Sequence, residues 1–139
     1  MGQIKLKATG LRHEYYQPRT GGRLLALDNI DLQVEDGEFV SIVGPSGCGK
    51  TTFINLCDGL LKPTAGKIDI DGKQVTGPGT DRGMVFQDSC LMPWRTVIKN
   101  VLFGLECQGM DNAEGQERAR TFIKLVGLQG FEDHYLHVL

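Results

Sequence analysis

The chain has 139 residues, and its 15 Lys and Arg against 17 Asp and Glu give a formal net charge of −2 at pH 7. This length fits one domain, and 40% apolar residues with 23% charged residues can build a hydrophobic core, which excludes wholesale disorder. The near-balanced charge provides no basic surface for the phosphates of a nucleic acid, so we expect no nucleic-acid partner.

The sequence has no pattern of a membrane span or an export signal. No stretch approaches the ~18 consecutive apolar residues of a span, and the start MGQIKLKATGLRHEYY lacks an apolar signal core. The cysteines show no CxxC pair, so neither a zinc site nor a disulfide framework is expected. They are Cys48, Cys57, Cys90 and Cys107. We therefore predict a cytosolic protein with reduced thiols.

The beginning of the chain has the patterns of strands. Apolar residues alternate with polar ones over 4–8 and over 30–34, which predicts two half-buried strands joined by a loop at 17–23. The almost continuous apolar run Phe39–Val43 predicts a further strand that is buried on both faces.

The middle of the chain combines a helix with short strands. Apolar residues at helical spacing predict a helix over 52–61, which ends before Pro63. Alternation at 68–70 predicts a strand, and Asp71-Gly72 is typical of a turn. The apolar residues 84–86 predict a short buried strand.

The last fifty residues are mostly helical in pattern. We predict one helix around 97–105 and a second over 111–126. Asp111 or Asn112 is the expected N-cap of the second helix, and Gly127 is expected to end it. The shift from strand-like to helical patterns suggests a sheet-based core followed by a helical subdomain.

One segment carries a complete binding motif. Residues 44–51, GPSGCGKT, satisfy GxxxxGK[ST] between a predicted strand and a predicted helix, which is the context of a phosphate-binding loop. The loop residues expected to contact a nucleotide are Gly44, Pro45, Ser46, Gly47, Cys48, Gly49, Lys50, Thr51 and Thr52.

The chemistry of this loop follows from its residue types. Glycines allow successive backbone N–H groups to face phosphate oxygens at the positive end of the following helix. Lys50 brings a point charge to the β and γ phosphates, and the Thr51 hydroxyl suits Mg²⁺, which prefers oxygen ligands. Thr52 adds a second hydroxyl for the phosphates. The sequence therefore predicts that this loop binds a nucleotide.

Several segments together resemble the ATP-binding cassette (ABC) ATPases. They are GPSGCGKTT at 44–52, LKPTAGKIDIDG at 61–72 and MVFQ at 84–87. VTGPGTDRGMVFQ at 75–87 and LMPWRTVIKNVLFGLE at 91–106 are similar to the importer subgroup for nitrate, sulfonates, taurine and similar small anions.

The resemblance implies an α/β P-loop NTPase fold with a RecA-like core, truncated relative to the family. Residues 1–90 would form the nucleotide-binding core with the Walker A loop and an antiparallel β subdomain. Residues 91–139 would form a partial α-helical subdomain that ends before the family's signature motif.

The resemblance also assigns further site residues. Tyr15 lies where the family has an aromatic ring that stacks on adenine, with the adjacent Tyr16 as the alternative. Gln87 matches the Q-loop glutamine, which reaches Mg²⁺ and the attacking water. By this resemblance Lys50 and Gln87 are the catalytic candidates, and Thr51 and Gln87 are the Mg²⁺ candidates.

The partners implied by the resemblance are proteins. Residues Leu91 to Trp94 correspond to the groove that receives a membrane permease, although Trp94 also fits a core position. The family's ATPase subunits form homodimers and lie in the cytoplasm, peripheral on the inner face of the cell membrane. The implied activity is ATP hydrolysis coupled to import of a small anion.

Hydrolysis in the family requires a second acidic strand end after the phosphate loop. The one similar run here, Leu24 to Asp28, precedes the loop and is interpreted as structural. An alternative is therefore a truncated, non-hydrolytic nucleotide-binding fragment. A P-loop kinase or GTPase is a third possibility, but no NKxD motif occurs. For the chain by itself we expect an open sheet edge, exposed apolar surface, marginal stability and aggregation.

Overall fold

The computed structural model describes residues 2–88, 90–110 and 112–135. The chain forms two compact units, Met1–Gly83 and Met84–Leu139. None of the helices in the described ranges is both long and apolar enough to cross a membrane.

The first unit is built on an antiparallel sheet. Its four strands have the spatial order β2-β1-β3-β4. They are β1 (Ile4–Gln17), β2 (Gly22–Glu35), β3 (Ala65–Ile70) and β4 (Lys73–Gln74). The strands predicted around 4–8, 30–34 and 68–70 are confirmed. The predicted turn is confirmed as well, since Asp71 and Gly72 have φ of 48° and 73°, the positive values of a type I′ hairpin turn.

Helix α1 (Lys50–Asp58) packs on this sheet. Leu56 of the helix and Leu11 of β1 are fully buried in the shared core. The helix ends three residues earlier than predicted, because Gly59 adopts a left-handed conformation with φ of 81°. Its N–H then bonds the carbonyl of Leu56, as in a typical glycine C-cap.

The predicted strand at Phe39–Val43 is wrong, because the backbone at 38–45 is irregular. Phe39 is 93% exposed and Val43 is 89% exposed, although both are large apolar residues. A strand is held by the hydrogen bonds of its neighbours, and no strand of the described residues pairs with this segment. The predicted exposed apolar surface is confirmed here. The predicted open sheet edge depends on an unpaired strand at Phe39–Val43, but this segment is irregular and forms no strand.

The short strand predicted at 84–86 is also wrong. This segment of the second unit is irregular, and Val85 is 98% exposed. As at Phe39–Val43, no strand of the described residues pairs with this segment.

The described part of the second unit contains the helices α2 (Val97–Cys107) and α3 (Ala113–Leu125), which confirm the two predicted helices. Ile98 and Leu102 of α2 share a core with Ile123 of α3. The predicted Asn112 cap is confirmed, since its Oδ1 accepts a hydrogen bond from the Gly115 N–H at 3.0 Å. The alternative cap, Asp111, lies outside the described residues.

Candidate functional site

The glycine-rich loop 44–49 leads directly into α1 in the first unit. Gly49 is the N-cap of α1, and its φ of 96° is a left-handed value. A Cβ placed on Gly49 would lie 2.6 Å from the carbonyl oxygen of Ala26 and 2.8 Å from Leu27 Cδ2. Glycine is therefore required here both by the backbone conformation and by the close approach of β2.

Within the described ranges, no side chain caps the N-terminus of α1. The first N–H groups of a helix have no partner within the helix, and they carry the positive end of its dipole. Gly47, with φ of 82°, turns the loop just before this point. The loop thus offers uncapped amide donors where an anion would be stabilised.

The ammonium group of Lys50 lies against its own loop. Its Nζ donates to the carbonyl oxygens of Gly44 at 2.8 Å and Pro45 at 2.7 Å, and it is 3.6 Å from Cys48 Sγ. These acceptors are neutral, so the full negative charge of a phosphate oxygen would compete well for the same donors. The lysine is positioned to exchange carbonyl contacts for phosphate contacts.

The loop's donors and acceptors fit a nucleotide with its metal. Thr51 at the start of α1 is exposed, and its hydroxyl oxygen is the kind of ligand that Mg²⁺ prefers. Thr52 is buried. Together with Lys50, these side chains offer a positive charge and two hydroxyls beside the uncapped amides, which is the chemistry that a polyphosphate needs.

Tyr15 and Tyr16 differ in their surroundings. The Tyr15 hydroxyl is 3.1 Å from Thr52 Oγ1, so its side chain contacts the helix that follows the loop. Tyr16, the neighbouring residue, is 67% exposed against 37% for Tyr15. The structure thus brings Tyr15 next to the phosphate-loop helix.

His13, which no sequence motif indicated, is buried beside Tyr15. The two rings are 4.7 Å apart between centroids, at an interplanar angle of 82°. A regular strand period could not have indicated this residue, because the register of β1 shifts on both sides of His13.

A charged cluster accompanies this end of β1. The Glu14 carboxylate accepts hydrogen bonds from Arg12 at 2.7 Å and from Arg23 at 3.3 Å. The hydrogen bonds from Arg12 and then Arg23 lower the pKa of Glu14. Because Arg23 lies on β2, the carboxylate links the two strands beside Tyr15.

An apolar cavity of about 300 Å³ adjoins the loop in the first unit. Leu27, Leu32, Ile42 and Phe53 are among its lining residues, and Lys50 lies in its wall. The cavity therefore joins the apolar residues of β2 and the following segment to the loop residues Gly49 and Lys50.

The second unit holds the other predicted site residues. Gln87 is exposed in the irregular segment before α2. Trp94 is 74% exposed and Leu91 is also exposed, so the core position considered for Trp94 is wrong.

Asn100, which no sequence motif indicated, holds the loop containing Trp94. Asn100 Oδ1 accepts from the Met92 N–H at 2.8 Å, and Nδ2 lies 3.1 Å from the carbonyl oxygen of Met92. Nδ2 also donates to the carbonyl oxygens of Arg95 at 3.1 Å and Thr96 at 3.0 Å. One side chain therefore fixes the backbone of 92–96.

Comparison with known proteins gives a consistent set of relatives. The ABC transporter family profile matches residues 27–139. An uncharacterised ABC transporter ATP-binding protein of Methanocaldococcus jannaschii is 53% identical over 137 residues, which cover 99% of this chain and 51% of the relative. A taurine import ATP-binding protein of Burkholderia pseudomallei is 50% identical over 113 residues, or 81% of this chain and 44% of the relative.

A nitrate import ATP-binding protein of Synechocystis sp. is 47% identical over 132 residues, or 95% of this chain and 49% of the relative. The chain thus spans about half the length of these relatives. Among solved structures, a dimeric bacterial ABC transporter cassette superimposes with a TM-score of 0.81 at 32% identity, covering 96% of this chain and 62% of that one. A post-hydrolysis dimer of an ATP-binding cassette, bound to ADP and Pi, gives a TM-score of 0.80 at 32% identity, with the same coverages of 96% and 62%.

Proposed function

This chain belongs to the ABC transporter family, and on that premise we propose that it is the ATP-binding part of an importer subunit. The observation that carries the proposal is the loop 44–49, whose left-handed Gly49 leaves the start of α1 uncapped beside the Lys50 ammonium. Backbone amides and a lysine at a helix N-terminus form a binding site for phosphates.

We assign each contact to a residue of the first unit. The amides of 47–50 and the Lys50 ammonium would hold the phosphates, and the Thr51 hydroxyl would be a ligand of Mg²⁺. Thr52 would add a hydroxyl to the phosphates. The contact between the Tyr15 hydroxyl and Thr52 supports Tyr15, rather than Tyr16, as the ring that stacks on adenine.

Hydrolysis is proposed for the whole protein, since the relatives are about twice as long as this chain. When Mg-ATP is bound at the loop 44–49, the metal would neutralise phosphate charge. Gln87 would contribute an amide to Mg²⁺ and the attacking water. Residues 1–90 would act as the nucleotide-binding core and 91–139 as the beginning of the helical subdomain.

The proposed protein partners are a permease and a second ATPase subunit. The exposed side chains of Leu91 and Trp94 suit contact with a permease at the cytoplasmic face of the membrane. The dimeric state of the similar cassettes supports a homodimer. Relatives named for taurine and nitrate import support a small anion as the transported solute.

The proposal is tested by calorimetric titration of the chain with Mg-ATP. Charge-assisted hydrogen bonds contribute about 1.5–3 kcal/mol, so Lys50→Ala is expected to weaken binding roughly 10- to 100-fold. Lys73→Ala removes the same charge from exposed strand β4 and should leave binding unchanged. Equal affinities of the Lys50 variant and the unmodified chain would contradict the proposal.

A further inference from the structure

His13 is held in one orientation by the backbone that follows α1. Its Nδ1 lies 3.0 Å from the carbonyl oxygen of Lys62. A carbonyl oxygen can only accept a hydrogen bond, so Nδ1 carries the proton in this contact. Because the side chain is buried as well, the ring has a fixed tautomer and a fixed plane.

The backbone on both sides of His13 is fixed to the same segment. The Thr64 N–H donates to the carbonyl oxygen of Arg12 at 2.8 Å. The Glu14 N–H donates to Thr64 Oγ1 at 2.9 Å. Residues 12–14 of β1 are therefore joined to 62–64, the segment that comes after the C-terminal end of α1.

Tyr15 is restrained at two points. Its ring meets the His13 ring at a centroid distance of 4.7 Å in an edge arrangement, which is favourable for aromatic pairs. Its hydroxyl reaches Thr52 Oγ1 near the N-terminal end of α1. The ring position thus depends on contacts with His13 and with the phosphate-loop helix.

We infer that His13 is a positioning residue for Tyr15 and thereby sets the affinity of the site for the nucleotide base. This inference rests on the proposed function, in which Tyr15 stacks on adenine. His13 itself contacts neither the phosphate loop nor a phosphate donor in the contacts described above. It acts on the base through Tyr15, and in these contacts it touches neither Lys50 nor the amides of 47–50, which would hold the phosphates.

The experiment compares two ligands, Mg-ATP and inorganic tripolyphosphate, which carries the phosphates without the base. Loss of a base–aromatic stack costs roughly 5- to 150-fold in affinity. His13→Ala leaves the Tyr15 ring in place but less restrained, so we expect about a 5-fold weaker affinity for ATP and less than about a 2-fold change for tripolyphosphate. His13→Phe retains an aromatic ring and should recover part of the loss.

A double variant separates positioning from general structural damage. If His13 acts through Tyr15, then adding His13→Ala to Tyr15→Ala should weaken ATP binding no further. His134→Ala, at an exposed histidine of the other unit, is the matched control and should change neither affinity.

The results distinguish this inference from the proposed function. Equal losses for ATP and tripolyphosphate, or additive losses in the double variant, would overturn the role of His13. Failure of His13→Phe to bind ATP better than His13→Ala would overturn it also. If the unmodified chain bound neither ligand, the proposed function itself would be wrong, and the inference with it.

Discussion

Asn100→Ala should loosen the segment 92–96 that presents Trp94. Asn100 Oδ1 accepts a hydrogen bond from the Met92 N–H, and the two N–H bonds of its Nδ2 are shared among three backbone carbonyl oxygens. Alanine replaces none of these contacts and leaves the Met92 N–H without its acceptor.

The magnitude follows from the surroundings of these groups. Each hydrogen bond contributes about 0.5–1.5 kcal/mol to the free energy of unfolding, and a buried donor left without an acceptor lowers it by about 1–3 kcal/mol. Asn100 is half-buried, so water can replace part of what is lost. We therefore expect Asn100→Ala to lower the free energy of unfolding of the second unit by about 2–3 kcal/mol.

The assay uses the chain's one tryptophan, Trp94, which reports on this segment by its emission. Urea unfolding followed by that emission gives the free energy, and amide exchange gives the protection of the Met92 N–H. Asn100→Asp keeps that acceptor but sets a carboxylate against three carbonyl oxygens, so it should be at least as destabilising as alanine. Lys99→Ala, an exposed neighbour in α2, is the control.

Either of two results would contradict this role of Asn100. The first is a free energy of unfolding of Asn100→Ala that lies within about 0.5 kcal/mol of the value for the unmodified chain, a difference typical of surface substitutions. The hydrogen bonds of Asn100 would then not hold the segment. Unchanged exchange of the Met92 amide would lead to the same conclusion.

Three further predictions concern the first unit. Gly49→Ala should weaken Mg-ATP binding at least about 10-fold, because its Cβ would meet the Ala26 carbonyl and φ is left-handed there. Burial raises the pKa of the Cys57 thiol to about 11, so at pH 8 it should be alkylated far more slowly than the exposed cysteines. Its contribution to stability should decline as pH rises from about 8.5, where an unfolded thiol ionises, through about 11. The exposed Phe39 and Val43 should make the 139-residue chain bind the dye ANS and aggregate, and replacing both with serine should reduce dye binding.

Matched controls accompany these measurements. Gly104→Ala, where an added Cβ meets no atom within 4 Å, should leave ATP affinity unchanged. Cys57→Ser should remove the slow phase of alkylation and leave the fast phases. Thr80→Ser at another exposed position should not alter dye binding. A sharp, reversible two-state thermal transition of a monomer without dye binding would contradict the prediction of aggregation.

The sequence by itself determined the elements whose causes are local. Local patterns correctly predicted the strands β1 and β2, the Asp71-Gly72 turn and the helices α2 and α3. Periodicity and turn chemistry act within a few residues, so the sequence alone is enough to predict them. The proposed phosphate loop is likewise local, since eight consecutive residues hold its glycines, lysine and hydroxyl.

Only the tertiary structure decided the features that join distant residues. The apolar run Phe39–Val43 has the composition of a buried strand, yet strand structure requires hydrogen bonds from a neighbouring strand, and composition cannot supply them. His13 acquires its role from Lys62, which is 49 residues away in sequence. Tyr15 likewise meets Thr52 across 37 residues, a contact that exists only after α1 has packed on the sheet.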